Sequence, residues 1–206
     1  EEGCLGRCHF CGLSMTRQQG PRGETFIRVD WPIYPLEEII GRAREKGQIH
    51  RVCISMITHP KALEDTIFVI QRFKQETDLP ISVLISPTLI HDEGSLEAMK
   101  KTGADRVGIA IDAATPELFD RLRGKGVGGP HRWEHYWDVI EMAVEVFGRF
   151  HVGVHLIVGL GETEREMVEA IQKAHDTGAP THLFSFYPEK GSPMENHAPP
   201  PISQYR

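Results

Sequence analysis

Three of the four cysteines in this 206-residue chain fall within its first 11 positions, as Cys4-Leu-Gly-Arg-Cys8-His-Phe-Cys11. Thiolates spaced C-x3-C-x2-C on one short loop can bind three irons of a cubane cluster. The fourth iron then has no protein ligand, and an open coordination position is what a reactive centre needs. Ferredoxin-type sites use four thiolates at other spacings. The competing arrangement is a tetrahedral zinc site made by these three and one more ligand, such as His9. Zinc hairpins usually present paired C-x2-C units, and no second pair follows here. A disulfide framework would spread cysteines along the chain; crowding them into one loop suits a reducing cytoplasm.

The elements that must position this loop are legible as alternating hydrophobic periods. Leu36, Ile40 and Ala43 share one helical face. Leu63, Ile67, Ile70 and Phe73 stripe a second helix, and Leu96 and Met99 mark a short third. Pro116 opens a helix that runs to Leu122. Trp137, Ile140, Val144 and Phe147 stripe a longer one. Residues 162–177 form another, with Met167, Ile171 and Ala174 inward. Between them, residues 50–57, 81–85, 106–111, 151–158 and 181–187 read as buried strands. The stretch from Arg123 to Pro130 is a loop by composition; it suits a flexible lid and lacks the Gly-Lys-Ser/Thr of a phosphate loop. Such alternation predicts a parallel α/β sheet with right-handed crossovers and its chemistry at the C-terminal strand ends. Thr58, Asp112, Gly159 and Tyr187 fall there.

Length suits a single domain over residues 1–206, with the cluster loop at 1–14 and a C-terminal extension at 188–206. The net charge of -6, from 23 basic and 29 acidic residues, argues against a nucleic-acid-gripping function. No apolar run is long enough to span a membrane, and Glu1-Glu2-Gly3 does not open a signal peptide.

With Phe10 directly before its last cysteine, the loop resembles the signature of the radical S-adenosylmethionine (SAM) superfamily, and the resemblance extends over nearly the whole chain. It implies a partial TIM-type (β/α)6 barrel with the cysteine loop after the first strand. Only three residues precede Cys4, so that strand is expected to be missing or to lie upstream. It further implies that Cys4, Cys8 and Cys11 hold a [4Fe–4S] cluster and that SAM chelates the open iron through its amino and carboxylate groups. One electron then cleaves the sulfur–C5′ bond, and the 5′-deoxyadenosyl radical takes hydrogen from an unactivated carbon. The protein's share is to position the cofactor and exclude water.

Within the superfamily the chain is similar to the branch containing biotin synthase, lipoyl synthase and methylornithine synthase. The stretch from Ile157 through Gly159 to Glu162 resembles the strand-5 turn that packs against adenine. Its plain alternative is a strand-to-helix turn with Glu162 and Glu166 favouring the helix start. Ile111-Asp112 resembles the strand-4 end whose Asp contacts the SAM ribose, a fitting acceptor for two hydroxyls; alternatively Asp112 caps the next helix. The segment Gly191-Ser-Pro-Met194 resembles the turn after strand 6 and places Tyr187 near adenine. Where the superfamily often has Gly-Gly-Glu, this chain has Met56-Ile57-Thr58, so backbone carbonyls and Thr58 are expected to hold the SAM amino group. Phe10, Arg132 and His155 complete the expected SAM set. His155 shares a strand face with His151, Gly153 and Ile157 and projects toward SAM or substrate; a satisfied core histidine is the alternative. Arg123 and Arg132 are expected beside the mouth, pairing with the SAM carboxylate or an acidic substrate. His131 and His135 read as a solvated helix end.

Biotin synthase has a second cluster held by three cysteines on strands 2, 3 and 5. Cys53 matches the first, but Val83 and Gly153 stand at the others, and one thiol cannot hold that cluster. Cys53 reads as a small buried residue, with a substrate-side position as the alternative. The leading expectation is lipoyl-synthase-like sulfur insertion, with a reducing electron donor and a small-molecule or octanoyl-carrier-domain substrate. A second radical SAM subunit would supply the sulfur or a second cluster. Skeletal rearrangement or cofactor maturation, like methylornithine synthase or a hydrogenase maturase, needs no auxiliary cluster. A non-catalytic metal-binding interaction subunit is the reading from another class.

Overall fold

Runs of Val, Ile and Leu, each closed by a polar residue or a glycine, form the strands of one sheet. The computed structural model describes residues 3–16, 25–26, 29–30, 32–45 and 47–205. After the cysteine loop, β1 (Thr25–Phe26) and β2 (Val29–Asp30) make a small antiparallel pair that no sequence period signals. Then follow α1 (Leu36–Glu45), β3 (Val52–Ser55), α2 (Ala62–Glu76), β4 (Ile81–Ile85), α3 (Glu93–Thr102), β5 (Ala104–Asp112), α4 (Pro116–Leu122), α5 (Trp133–Phe147), β6 (Val152–Val158), α6 (Glu164–Thr177) and β7 (Thr181–Ser185). Strands β3 to β7 form a five-stranded parallel sheet in chain order, as the alternating periods require. The first barrel strand, expected ahead of Cys4, lies outside the described residues.

The sheet has two unlike faces. Val107, Ile109 and Ile111 of β5 and Val152, Val154, Leu156 and Val158 of β6 are buried under the helices. The alternate residues, Gly108, Ala110, Gly153, His155 and Ile157, are only half-buried and line the concave face. Helix stripes match this: Ile70 and Phe73 of α2, Leu96 and Met99 of α3, Ile140 and Phe147 of α5, and Met167 and Ala174 of α6 are all buried.

Several boundaries move. The last strand ends at Ser185 instead of residue 187. Helix α6 starts at Glu164, because Thr163 and Glu166 form a capping box in which each side chain accepts from the other's backbone N–H. Thr115, whose hydroxyl accepts from Leu118 N–H at 3.2 Å, caps α4, so Asp112 is not that cap. The glycine-rich segment is a tight turn with a 3-10 stretch at Lys125–Val127; Gly129 N–H returns to Gly124 O at 2.8 Å. A Cβ at Gly129 would stand 2.3 Å from Arg123 O, so the segment lies directly on the backbone after α4.

Candidate active site

The cysteine loop is docked by its backbone. Leu5 N–H donates to Thr58 O (2.8 Å), just past β3, and His9 N–H donates to Leu122 O (2.9 Å), the last residue of α4. Inside the loop, Cys11 N–H bonds Cys8 O and Met15 N–H bonds Gly6 O. These bonds place Cys8 and Phe10 in the hydrophobic core, with Cys4 and Cys11 half-buried at its rim. Phe10 thus packs inward beside Cys8.

Two backbone donors face sulfur: Gly6 N–H lies 3.3 Å from Cys4 Sγ, and Leu13 N–H lies 3.4 Å from Cys11 Sγ. Burial pushes the Cys8 thiol up to about 11 against the pull of Arg123; burial, then neighbouring Cys8, pushes Cys11 up to about 12. Metal-free, both are protonated at neutral pH. Three thiols beside a guanidinium, two of them already met by N–H groups, fit a thiolate-bound cluster with one open iron. Among the described residues no three Cys, His, Asp or Glu side chains converge as a single metal ion would require.

At the end of β5, Asp112 adopts a left-handed backbone (φ 65°) and is half-buried. Arg123 holds it: Nη1 donates to Asp112 Oδ2 and to Ala110 O (2.6 Å), and Nη2 donates to Tyr136 Oη (3.0 Å). Burial pushes the Asp112 carboxyl up while Arg123 pulls it down. Arg123, expected at the mouth, is therefore a buried strut: charge neutralisation and three acceptors offset its desolvation. Arg132 is exposed, and its guanidinium bonds Gly129 O and His131 O at the loop edge.

The reading of His131 as solvated is overturned. It is 2% exposed; its Nδ1 lies 2.9 Å from Tyr136 Oη and 2.7 Å from Thr88 Oγ1. Burial, followed by Arg123 and Arg132, lowers it to about 2, so it is neutral. His135 turns elsewhere, to Pro87 O at 2.8 Å. Tyr136 and Thr88 carry no motif; the one local hint is that a tyrosine sits on the inward face of α5, where a buried phenol needs partners.

At the end of β6 the chain turns on Gly159 (φ 100°) and Gly161 (φ 113°). Glu162 reaches back, accepting from Gly159 N–H (2.6 Å) and Leu160 N–H (2.9 Å), so its carboxylate shapes the turn. The segment after β7 crosses the same place: His197 Nε2 lies 3.0 Å from Gly159 O, and Met194 N–H donates to His9 O. Tyr187 is half-buried where this segment begins. Met56 is half-buried, and Thr58 is buried with its hydroxyl 2.8 Å from Ser86 Oγ.

On the concave face His155 stacks edge-on against His182 (5.2 Å) and tilts on Phe184 (5.1 Å). Burial, then His182, lowers it to about 4. Gly108 and Gly153 make room: a Cβ at Gly108 would stand 3.3 Å from His155 Nε2, and one at Gly153 3.0 Å from His182. His182, absent from the sequence reading, sits in register with His155. Cys53 is exposed, not buried. It pairs with Ser82; Val83 is in register with Ile54 and faces the helices. His151 is exposed, at the residue before β6, away from the strand ends.

Comparison with known proteins agrees with this geometry. The chain is 25% identical over 197 residues to an uncharacterized protein of Methanocaldococcus jannaschii, covering 93% of this chain and 48% of that protein. It thus spans about half that relative's length. Among solved structures it resembles methylornithine synthase (PylB), with TM-score 0.73 and 21% identity over 94% of this chain and 53% of the other. It also resembles HydG, a maturase of the [FeFe]-hydrogenase, with TM-score 0.75 and 13% identity over 98% and 45%. At such identities these likenesses establish the partial-barrel fold. Family membership comes from the pattern of residues 2–174, which matches the Radical SAM superfamily, and the chain belongs to that superfamily, whose cofactors are a [4Fe–4S] cluster and SAM.

Proposed function

We propose that this chain is the catalytic core of a radical SAM enzyme that takes hydrogen from a small polar substrate and uses no second cluster. That is the chemistry class of skeletal rearrangement or cofactor maturation. The concave face carries the reading. Cys53 is the thiol it offers, Val83 is turned to the helices, and the room beside Gly153 is filled by His182. When bound, the cluster and SAM supply a 5′-deoxyadenosyl radical.

The chain's own residues divide the remaining work. Cys4, Cys8 and Cys11 hold the cluster. Asp112, fixed by Arg123, presents a carboxylate for the SAM ribose, and the Gly159 turn lets backbone approach adenine. Met56 and Thr58 lie at the β3 end for the amino group, and Tyr187 flanks the adenine side. Neutral His155 offers substrate one donor and one acceptor, with His182 beside it and Phe184 as an apolar wall. Burial of Cys8 and Phe10 keeps water from the loop.

The test is anaerobic reconstitution, then SAM, reductant and pools of deuterated small amino acids. Deuterium appearing in 5′-deoxyadenosine supports the proposal, and Cys8→Ala is expected to abolish SAM cleavage while leaving the sheet folded. Sulfur gained by an octanoylated carrier-domain peptide, read by mass spectrometry, would replace it with lipoyl-type insertion. One bound zinc and no SAM cleavage would make the chain an interaction subunit.

A further inference from the structure

We propose that Arg123 and His131 donate hydrogen bonds to the sulfur atoms of the cluster, and that Tyr136, set between them, fixes which imidazole nitrogen carries the hydrogen. This rests on the cluster held by Cys4, Cys8 and Cys11.

Position comes first. Gly6 lies between two cluster cysteines and has no side chain. The space its Cβ would take is bordered by Cys4 Sγ at 3.2 Å, His131 Nε2 at 3.2 Å and Cys8 Sγ at 3.7 Å. The outer imidazole nitrogen and two thiols therefore edge one small volume.

The direction of each hydrogen follows from what each group can do. A guanidinium only donates. The 3.0 Å contact from Arg123 Nη2 thus makes the Tyr136 oxygen an acceptor. His131 Nδ1 lies 2.9 Å from that oxygen, within reach of the phenol's own hydrogen, and the Thr88 hydroxyl approaches the same nitrogen at 2.7 Å. In the proposed arrangement Nδ1 accepts the phenol hydrogen, which puts the hydrogen of the neutral ring on Nε2, facing the cysteine loop.

Arg123 holds a donor that the protein itself does not use. Its Nη1 and Nη2 bond Ala110 O, Asp112 and Tyr136, while its Nε is buried without a partner. A buried N–H left unpaired is costly. Sulfur bound to iron is an acceptor for both donors. Hydrogen bonds to cluster sulfurs withdraw electron density, favour the reduced state and raise the reduction potential. The chain Arg123–Tyr136–His131 thereby sets how readily the cluster accepts the electron that SAM cleavage consumes. Arg123 and His131 act on the cluster; Tyr136 is a positioning residue.

The test is an EPR-monitored redox titration of the full chain, reconstituted anaerobically without SAM, with iron and sulfide content measured for each variant. His131→Leu is expected to move the cluster to a more negative potential. His131→Gln, whose amide can donate from near the Nε2 position, is expected to stay close to the wild type. Tyr136→Phe should fall between them. A fully loaded His131→Leu protein that titrates with the wild type overturns the proposal. If His131→Leu holds no cluster, an unchanged potential in Tyr136→Phe overturns it, as does equal cluster loss in the Leu and Gln variants, which makes His131 a structural strut. Wild-type protein that binds about four irons and cleaves SAM establishes the cluster itself, whatever the variants show.

Discussion

The ends of β5 and β6 stand side by side at the mouth of the barrel, yet they are held by opposite means. Asp112 closes β5 in a left-handed conformation that a non-glycine residue rarely takes, and it stays there through a buried ion pair with Arg123. Gly159 closes β6 with a similar reversal, where glycine meets little strain, and Glu162 secures it three residues on. The first end is built from β5, the residue after α4, and Tyr136 of α5. The second is built from one short stretch of chain. A strand end that must present a charge needs distant partners, whereas one that presents bare backbone can be made locally.

The largest expected effect breaks the first end. Arg123→Met leaves the Asp112 carboxylate buried and unpaired, and stability should fall by about 3–5 kcal/mol in denaturant unfolding. Adding Asp112→Asn should restore part of that loss; strict additivity would show that the two residues are not coupled. Gly159→Ala strains the second end and pushes on Pro200, which would lie 2.7 Å from the new Cβ. A loss of about 1–3 kcal/mol is expected. A neutral result would mean that the turn relaxes freely.

The smallest effect concerns pH and separates the concave face from both ends. The folded-state pKa of His155 lies at about 4, below its ordinary 6.5. Between these values the unfolded chain binds more protons, so stability is present above pH 6.5 and is lost as pH falls toward 4. His155→Phe should flatten part of that slope in thermal melts between pH 4 and pH 7. An unchanged slope would place the imidazole in water instead of against His182 and Phe184.

Legibility followed the same local-versus-distant division. Apolar spacing placed β4 without error, and Pro116 marked the start of α4, because those signals come from neighbouring residues. The cysteine loop was legible because all three thiols share one short segment. His131 was misread: its partners, Thr88 and Tyr136, are 43 and five residues away, and no period links the three. Cys53 was misread because burial was inferred from residue type, whereas β3 is an outer strand of the described sheet. Glu162 was weighed as part of an adenine-packing turn or as helix-start electrostatics, and its bonds to its own turn were missed, since a side chain folding back is set by geometry that sequence does not express.

The segment after β7 fastens at two places: to the cysteine loop through Met194 and His9, and to the β6 turn through His197 and Pro200. One lace drawn through two eyelets cannot be loosened at one without slackening the other. A ligand that lifts His197 off Gly159 therefore also tugs on the loop around Cys8. Through that strap, movement at the β6 turn and order in the cysteine loop are expected to be coupled, and such a coupling would act equally in both directions.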